Sequence, residues 1–205
     1  SMYISPAARQ DFTRIYTDHL LDEVGRITET LPQERISYQW DVCQEVLIWE
    51  NYLEQYDGFK EELFFLLGRI GDAVPSAVDV GYHLCYGSPK DEHCIQPTDM
   101  ANLVEMANGI TSAVSRPVNY IHMPVPKDRN DNDYFRPLRE LKLPPVTALY
   151  LGLVHDHDGA GNSRKLGLAR QYATIAGVAA ECGLGRSDPT RFTEILKAHR
   201  ALAGS

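Results

Sequence analysis

Groups that can bind a metal ion or transfer a proton stand at the end of each strand that the sequence predicts. His83 and Cys85 lie two residues apart, and this spacing puts both side chains on the same face of a strand. An imidazole beside a thiolate is a ligand pair that suits Zn²⁺. A second thiol, Cys182, stands at a much later strand end. Together these three residues predict a zinc site.

The other strand-end groups could bind a substrate or move protons; they are Asp41, His122, His155 with Asp156 and His157, and Glu181. A carboxylate at the mouth of a sheet rarely serves packing, which favours a functional Asp41. His122 could instead be a core histidine bonded to a backbone carbonyl, and His155 and His157 could belong to a solvated loop. Arg186 could bind a substrate carboxylate or cap a carbonyl.

The elements that must position these groups alternate between strand and helix. Alternation of this kind predicts parallel strands, and chemistry in such folds gathers at their carboxyl ends. No internal repeat or linker interrupts the pattern, so we expect one domain over residues 1–205. The predicted strands are 36–42, 77–87, 117–126, 146–155 and 177–185. The predicted helices are 11–31, 43–56, 58–71, 99–115, 137–141, 163–174 and 189–203.

Composition narrows the possible functions of this 205-residue chain. It is 43% hydrophobic and 23% charged, typical of an ordinary globular protein, and its net charge of −8 argues against nucleic-acid binding. No apolar run is long enough to span a membrane, and no signal peptide opens the chain. Four cysteines without a secretion signal favour reduced thiols or metal ligands in a cytoplasmic protein. Of these, Cys43 is interpreted as packing and Cys94 as incidental.

Two segments carry a resemblance to a known family. GYHLCYG (81–87) and ECGLGR (181–186) resemble the zinc motifs of cobalamin-independent methionine synthase, and YQWD (38–41) is similar to an earlier strand end of that family. The resemblance implies a (β/α)8 barrel of the class that includes uroporphyrinogen decarboxylase. It also implies that His83, Cys85 and Cys182 bind zinc, that Asp41 holds the substrate's amino group, and that His155 lies near a histidine that handles protons.

The resemblance covers only the fourth to eighth strands of such a barrel. We therefore expect a partial barrel of about five strand-helix units, since a full one needs eight. Five parallel strands left open would expose two sheet edges and apolar surface. This predicts a homo-oligomer, or a separate amino-terminal half-barrel partner, that covers those edges.

The sequence departs from the family where the remaining zinc ligand, a glutamate, would stand, because His122 occupies that position. Val42 and Cys43 replace the family's Glu-Pro. With His122 as a ligand the site would be neutral instead of anionic, so a bound thiolate would be held more tightly and be less nucleophilic. A neutral site could equally favour Lewis-acid chemistry on a carbonyl. These features favour a divergent zinc-dependent methyl or alkyl transferase acting on a small thiol or an amino-acid-like substrate.

Two alternatives stay open at this point. The first is a metal-free decarboxylase or lyase in which Asp41, His122, His155 and Arg186 handle a carboxylated substrate. The second is a non-catalytic half-barrel that serves as a scaffold.

Overall fold

One parallel sheet organises the chain in the computed structural model, which describes residues 4–89, 92–180 and 182–203. The order of the strands in the sheet follows their order in the chain. They are β1 Ser37–Val42, β2 Asp79–Leu84, β3 Tyr120–Pro124, β4 Ala148–Val154 and β5 Gly177–Ala180. The prediction of five parallel strands is therefore confirmed. The strands are shorter than predicted, because several predicted residues leave the ladder and form the loops at the carboxyl rim.

Helices connect the strands: α1 Arg9–Thr30, α2 Gln44–Trp49, α3 Phe59–Asp72, α4 Ala101–Ala113, α5 Asn132–Phe135, α6 Gly159–Ala169 and α7 Phe192–Ala203. Short 3-10 turns cover Pro6–Ala8, Gln33–Arg35, Arg136–Glu140, Leu184–Arg186 and Pro189–Arg191. Among the described residues, no helix is both long and apolar enough to cross a membrane.

Local backbone conformation and side-chain capping set three of the helix boundaries. Helix α2 ends early because Asn51 takes a left-handed conformation, with φ at 60°. Helix α6 begins inside the glycine-rich turn, because the Asp158 side chain accepts a hydrogen bond from the Gly161 amide. Asp188 accepts a hydrogen bond from the Thr190 amide and caps the 3-10 turn Pro189–Arg191 that leads into α7.

The two faces of the sheet differ in chemistry. On the helix-covered face, Tyr82 is fully buried and its hydroxyl donates a hydrogen bond to the Leu67 carbonyl of α3, at 2.7 Å. On the opposite face, Gly81 leaves room for the ring of Tyr120, whose hydroxyl bonds the Gln39 side chain.

Strand register aligns the polar side chains of this second face in a row. Asp41 pairs with His83, His83 with His122, and His122 with Tyr150. Parallel pairing without a shift over these residues gives all four the same face. The row lies just before the carboxyl ends of β1, β2 and β3, so the loops that follow can bring further groups to it.

Candidate metal centre

The donor atoms of His83, Cys85 and Cys182 lie within 4.8 Å of one another. His83 and Cys85 are buried, and Cys182 is half-buried. The ligand atoms of a tetrahedral zinc ion lie roughly 3.5 Å apart, so small side-chain movements would let these three residues hold one. The structure thus brings together three residues that the sequence predicted as zinc ligands, although Cys182 is far from the other two along the chain.

Backbone geometry at the ends of β2 and β5 places the two sulfurs. The Cys85 amide donates to the Val42 carbonyl at 3.2 Å, and the Gly87 amide donates to Cys85 Sγ at 3.3 Å. Gly183 follows Cys182 with φ at 106°, a conformation that glycine adopts without strain. These contacts set the path of each loop and turn its sulfur toward the other.

Arg186 links the two loops that carry the cysteines. Its Nε donates to the Ser88 carbonyl at 2.8 Å, and its Nη2 approaches Cys182 Sγ at 3.8 Å. Of the two roles that the sequence left open for Arg186, the structure shows the bond to a carbonyl. The guanidinium therefore holds the loop after β5 against the loop after β2 and adds positive charge beside Cys182.

The thiols of Cys85 and Cys182 differ in their pKa. Hydrogen bonding from Cys85, followed by that from His83, lowers the pKa of Cys182 to about 4. The same contacts, with Cys182 and with Cys43, raise the pKa of Cys85. Cys182 is thus a thiolate at neutral pH, and Cys85 is the thiol that donates to it. A thiolate is the form of cysteine that binds metal ions and acts as a nucleophile.

His122 lies behind His83. The two Nδ1 atoms are 2.6 Å apart and the rings stack with centroids 4.6 Å apart. His122 thus bonds a second imidazole and not the backbone carbonyl considered from sequence. It is not one of the three residues whose donors converge. Its role as a ligand, which the resemblance implies, stays a prediction.

The far side of the His122 ring faces β4. A Cβ added to Gly152 would lie 2.8 Å from His122 Nε2, and within the described part of the chain this buried nitrogen has no hydrogen-bond partner. Burial, with a smaller contribution from His83, lowers the pKa of His122 to about 3. The ring is therefore neutral at physiological pH and can accept a hydrogen bond from His83.

Asp41 borders the cluster, next to His83 in the strand register. Burial raises the pKa of its carboxyl, while His83 and Arg186 oppose that shift and Cys182 adds to it. Because His83, Cys182 and Arg186 all affect its pKa, Asp41 lies at the same rim as the predicted zinc ligands. Its role toward a substrate amino group stays a prediction.

The histidine-rich loop after β4 is occupied with structural contacts. His155 is buried, its Nε2 lies 3.1 Å from the Val125 carbonyl, and its backbone bonds the Asn162 side chain. Asp156 pairs with Arg191, whereas the His157 side chain is 70% exposed. His155 is not part of the converging donor group, and Glu181, also singled out from sequence, lies outside the described residues.

Cys43 is the functional candidate that sequence reasoning missed. The sequence interprets it as packing, yet the neighbouring Cys85 thiol lowers the pKa of Cys43. The register provides the signal that could have found it. Val42 pairs with Leu84, so the residues that follow these strand ends, Cys43 and Cys85, come side by side.

Comparison with known proteins leaves the family open: no family model matches the chain, and no curated protein does. The resemblance to methionine synthase therefore depends on the short cysteine-containing segments and on the approach of His83, Cys85 and Cys182. The functional interpretation therefore depends on the structure, in which two thiols and one imidazole lie close together at the carboxyl rim of a parallel sheet.

Proposed function

We propose that this protein is a zinc-dependent methyl or alkyl transferase that acts on a thiol and has diverged from methionine synthase. One observation carries the proposal: the donor atoms of His83, Cys85 and Cys182 converge within 4.8 Å at the carboxyl ends of parallel strands. Two thiolates and an imidazole are a ligand set that zinc favours. When bound there, zinc would keep a substrate thiol in its nucleophilic thiolate form near neutral pH.

His122 supports the proposal by fixing the orientation of His83. A histidine that binds a metal through one nitrogen usually donates a hydrogen bond from the other. The two Nδ1 atoms are 2.6 Å apart, which leaves His83 Nε2 available to the metal, and with the metal there His83 Nδ1 would donate to His122 Nδ1. Because His122 is neutral and buried, it supplies this acceptor without adding charge.

Asp41 and Arg186 make an amino-acid-like thiol the favoured substrate. The Asp41 carboxylate could bind an ammonium group, and the Arg186 guanidinium could bind a carboxylate. Arg186 uses Nε for the Ser88 carbonyl and Nη2 for Cys182 Sγ, so its Nη1 would serve the substrate. Both side chains act electrostatically on the sulfur cluster, so a thiol held between them would lie beside the metal.

Metal analysis tests this proposal directly. Protein purified without chelators should contain zinc, and Cys182→Ser should lose it while the matched variant Cys94→Ser keeps it. A zinc content below roughly a tenth of an equivalent, with no gain after reconstitution, would reject the proposal. A carboxylate-directed activity that survives in Cys182→Ser would instead favour the metal-free decarboxylase or lyase.

Substrate preference gives a second test. In zinc-loaded protein, an amino-acid thiol should bind more tightly than 2-mercaptoethanol, and Asp41→Asn should remove most of that preference. Equal binding of both thiols by the unmodified protein would argue against the role of Asp41 while leaving the metal site intact.

The finer fold assignment is part of the same proposal: the sheet forms five units of a (β/α)8 barrel, and a second copy covers its open edges. Strand order without reversal, and a polar row on the face opposite the helices, support a barrel interior. Light scattering coupled to size exclusion should find a dimer. A stable, compact monomer would contradict the covering of these edges by a second copy.

A further inference from the structure

We infer that Cys43 is the fourth donor of this metal site, so that three sulfurs and one imidazole surround the ion. The inference rests on the metal site of the proposed function and adds to it a residue that the resemblance does not provide. It also identifies what occupies the coordination position when no thiol substrate is bound.

The strand ends bring Cys43 to the site. Cys43 directly follows β1 and Cys85 directly follows β2, and the paired residues Val42 and Leu84 hold the two cysteines in register. The bond from the Cys85 amide to the Val42 carbonyl, at 3.2 Å, continues the pairing past the end of the strands. Cys85 lowers the pKa of both Cys43 and Cys182, so its thiol lies beside each of theirs. Cys43 therefore lies next to the group formed by His83, Cys85 and Cys182.

The surroundings of Cys43 allow it to complete a tetrahedron. It is half-buried and precedes α2, with no side-chain capping bond that its sulfur would have to give up. Cys43 lies outside the group whose donors are within 4.8 Å of one another, so its side chain must turn toward Cys182. A rotation about the Cα–Cβ bond moves the sulfur without moving the strand.

His122 is the alternative fourth donor, but contacts with His83 and β4 hold its ring away from the metal site. One ring nitrogen bonds His83 at 2.6 Å, and the other lies against Gly152 of β4. To ligate, His122 would have to give up the hydrogen bond that orients His83. Cys43 would lose no such bond, because the residue beside it, Cys85, is itself a predicted ligand.

Charge follows from this assignment. Three thiolates exceed the charge of Zn²⁺ by one, so the site is anionic instead of neutral, as it would be with His122. Cys43 would occupy the position that a substrate thiol takes, and such a thiol would have to displace it.

Cobalt substitution tests the donor count without depending on activity. In Co²⁺-loaded protein, the thiolate-to-metal absorption should fall by about one third in Cys43→Ser and stay unchanged in the matched variant Cys94→Ser. Added 2-mercaptoethanol should restore the lost absorption in Cys43→Ser and add little to the unmodified protein. Circular dichroism of each variant without metal checks that it is folded.

Alkylation of the unmodified protein provides a second readout that needs no variant. Bound Zn²⁺ should protect Cys43 from iodoacetamide as fully as it protects Cys85 and Cys182, measured by peptide mass spectrometry. Full cobalt absorption in Cys43→Ser together with an unprotected Cys43 would overturn the inference and leave the three-donor site standing. Absence of any thiolate absorption in the unmodified protein would instead reject the metal site itself.

Discussion

The Nδ1 atoms of His83 and His122 lie 2.6 Å apart, across neighbouring parallel strands. Only one proton can sit between them, so one ring donates and the other accepts. Burial keeps His122 neutral and therefore able to accept, and a metal ion on His83 Nε2 would require the shared proton to lie on His83 Nδ1. The nitrogen of His83 that remains, Nε2, is the one available to Cys182 and to a metal ion.

Removing the acceptor should weaken metal binding without removing a donor. We expect His122→Ala to lower zinc affinity by about 10–100-fold, because the His83 ring loses its orienting partner. His122→Asn should recover part of that loss, since an amide oxygen can accept the same hydrogen bond. Competition against a chromophoric chelator measures both affinities. If His122→Asn binds zinc as weakly as His122→Ala, the orienting role is wrong.

Crowding His122 from its other side should have a similar effect. A Cβ on Gly152 would lie 2.8 Å from His122 Nε2, so Gly152→Ala must push the ring and disturb its bond to His83. We expect a measurable drop in zinc affinity from a substitution that touches no sulfur. Gly167→Ala is the matched control, because a Cβ there meets nothing within 4 Å. Equal affinities in both variants would contradict the prediction.

The lowered pKa of Cys182 predicts unusual reactivity in the metal-free protein. Its pKa of about 4 keeps it a thiolate through the neutral range, so iodoacetamide should modify it nearly as fast at pH 6 as at pH 8. Cys94 is the internal control, since burial raises its pKa and its alkylation should slow steeply as the pH falls. Peptide mass spectrometry follows both sites in one sample. Parallel pH profiles for the two cysteines would show that Cys182 is not activated.

Arg186 should contribute to that activation and to loop position. Arg186→Gln removes the guanidinium bond to the Ser88 carbonyl and the contact with Cys182 Sγ. We expect the pH midpoint of Cys182 alkylation to rise, because a positive neighbour no longer stabilises the thiolate. Arg200→Gln, on the exposed side of α7, should leave the midpoint unchanged. A midpoint that does not move in Arg186→Gln would assign the activation to Cys85 and His83 alone.

The pair formed by Asp156 and Arg191 should stabilise the fold. Asp156 Oδ2 lies 2.6 Å from Arg191 Nε and its side chain is only 7% exposed, so Asp156→Asn should lower the free energy of unfolding by about 1–3 kcal/mol. The control Asp133→Asn breaks an exposed pair and should change it by less than about 0.5 kcal/mol. Urea unfolding at neutral pH compares the two variants.

The same pair predicts a dependence of stability on pH. Hydrogen bonds from Arg191 hold the pKa of Asp156 below its usual value of 3.8. Its contribution should therefore be complete above that value and be lost as the pH falls through the lowered pKa. Asp156→Asn should narrow the difference in stability between pH 6 and pH 3. An unchanged difference would show that Asp156 is not linked to unfolding.

The sequence alone determined the five parallel strands and the rim at which chemistry gathers. Apolar segments in alternation with helices permit few other arrangements, and parallel strands necessarily end on one side of a sheet. The two-residue spacing of His83 and Cys85 likewise fixed their common face. These features depend on local periodicity, which a sequence displays directly.

Tertiary structure decided which of the strand-end groups meet. The contact of Cys43 with Cys85 depends on the register of β1 against β2, and a shift of one residue would send one side chain to the other face. The approach of Cys182 depends on a loop that Arg186 fastens to the Ser88 carbonyl. Register and loop path are set by contacts between residues far apart in the chain, so local sequence pattern could not determine them.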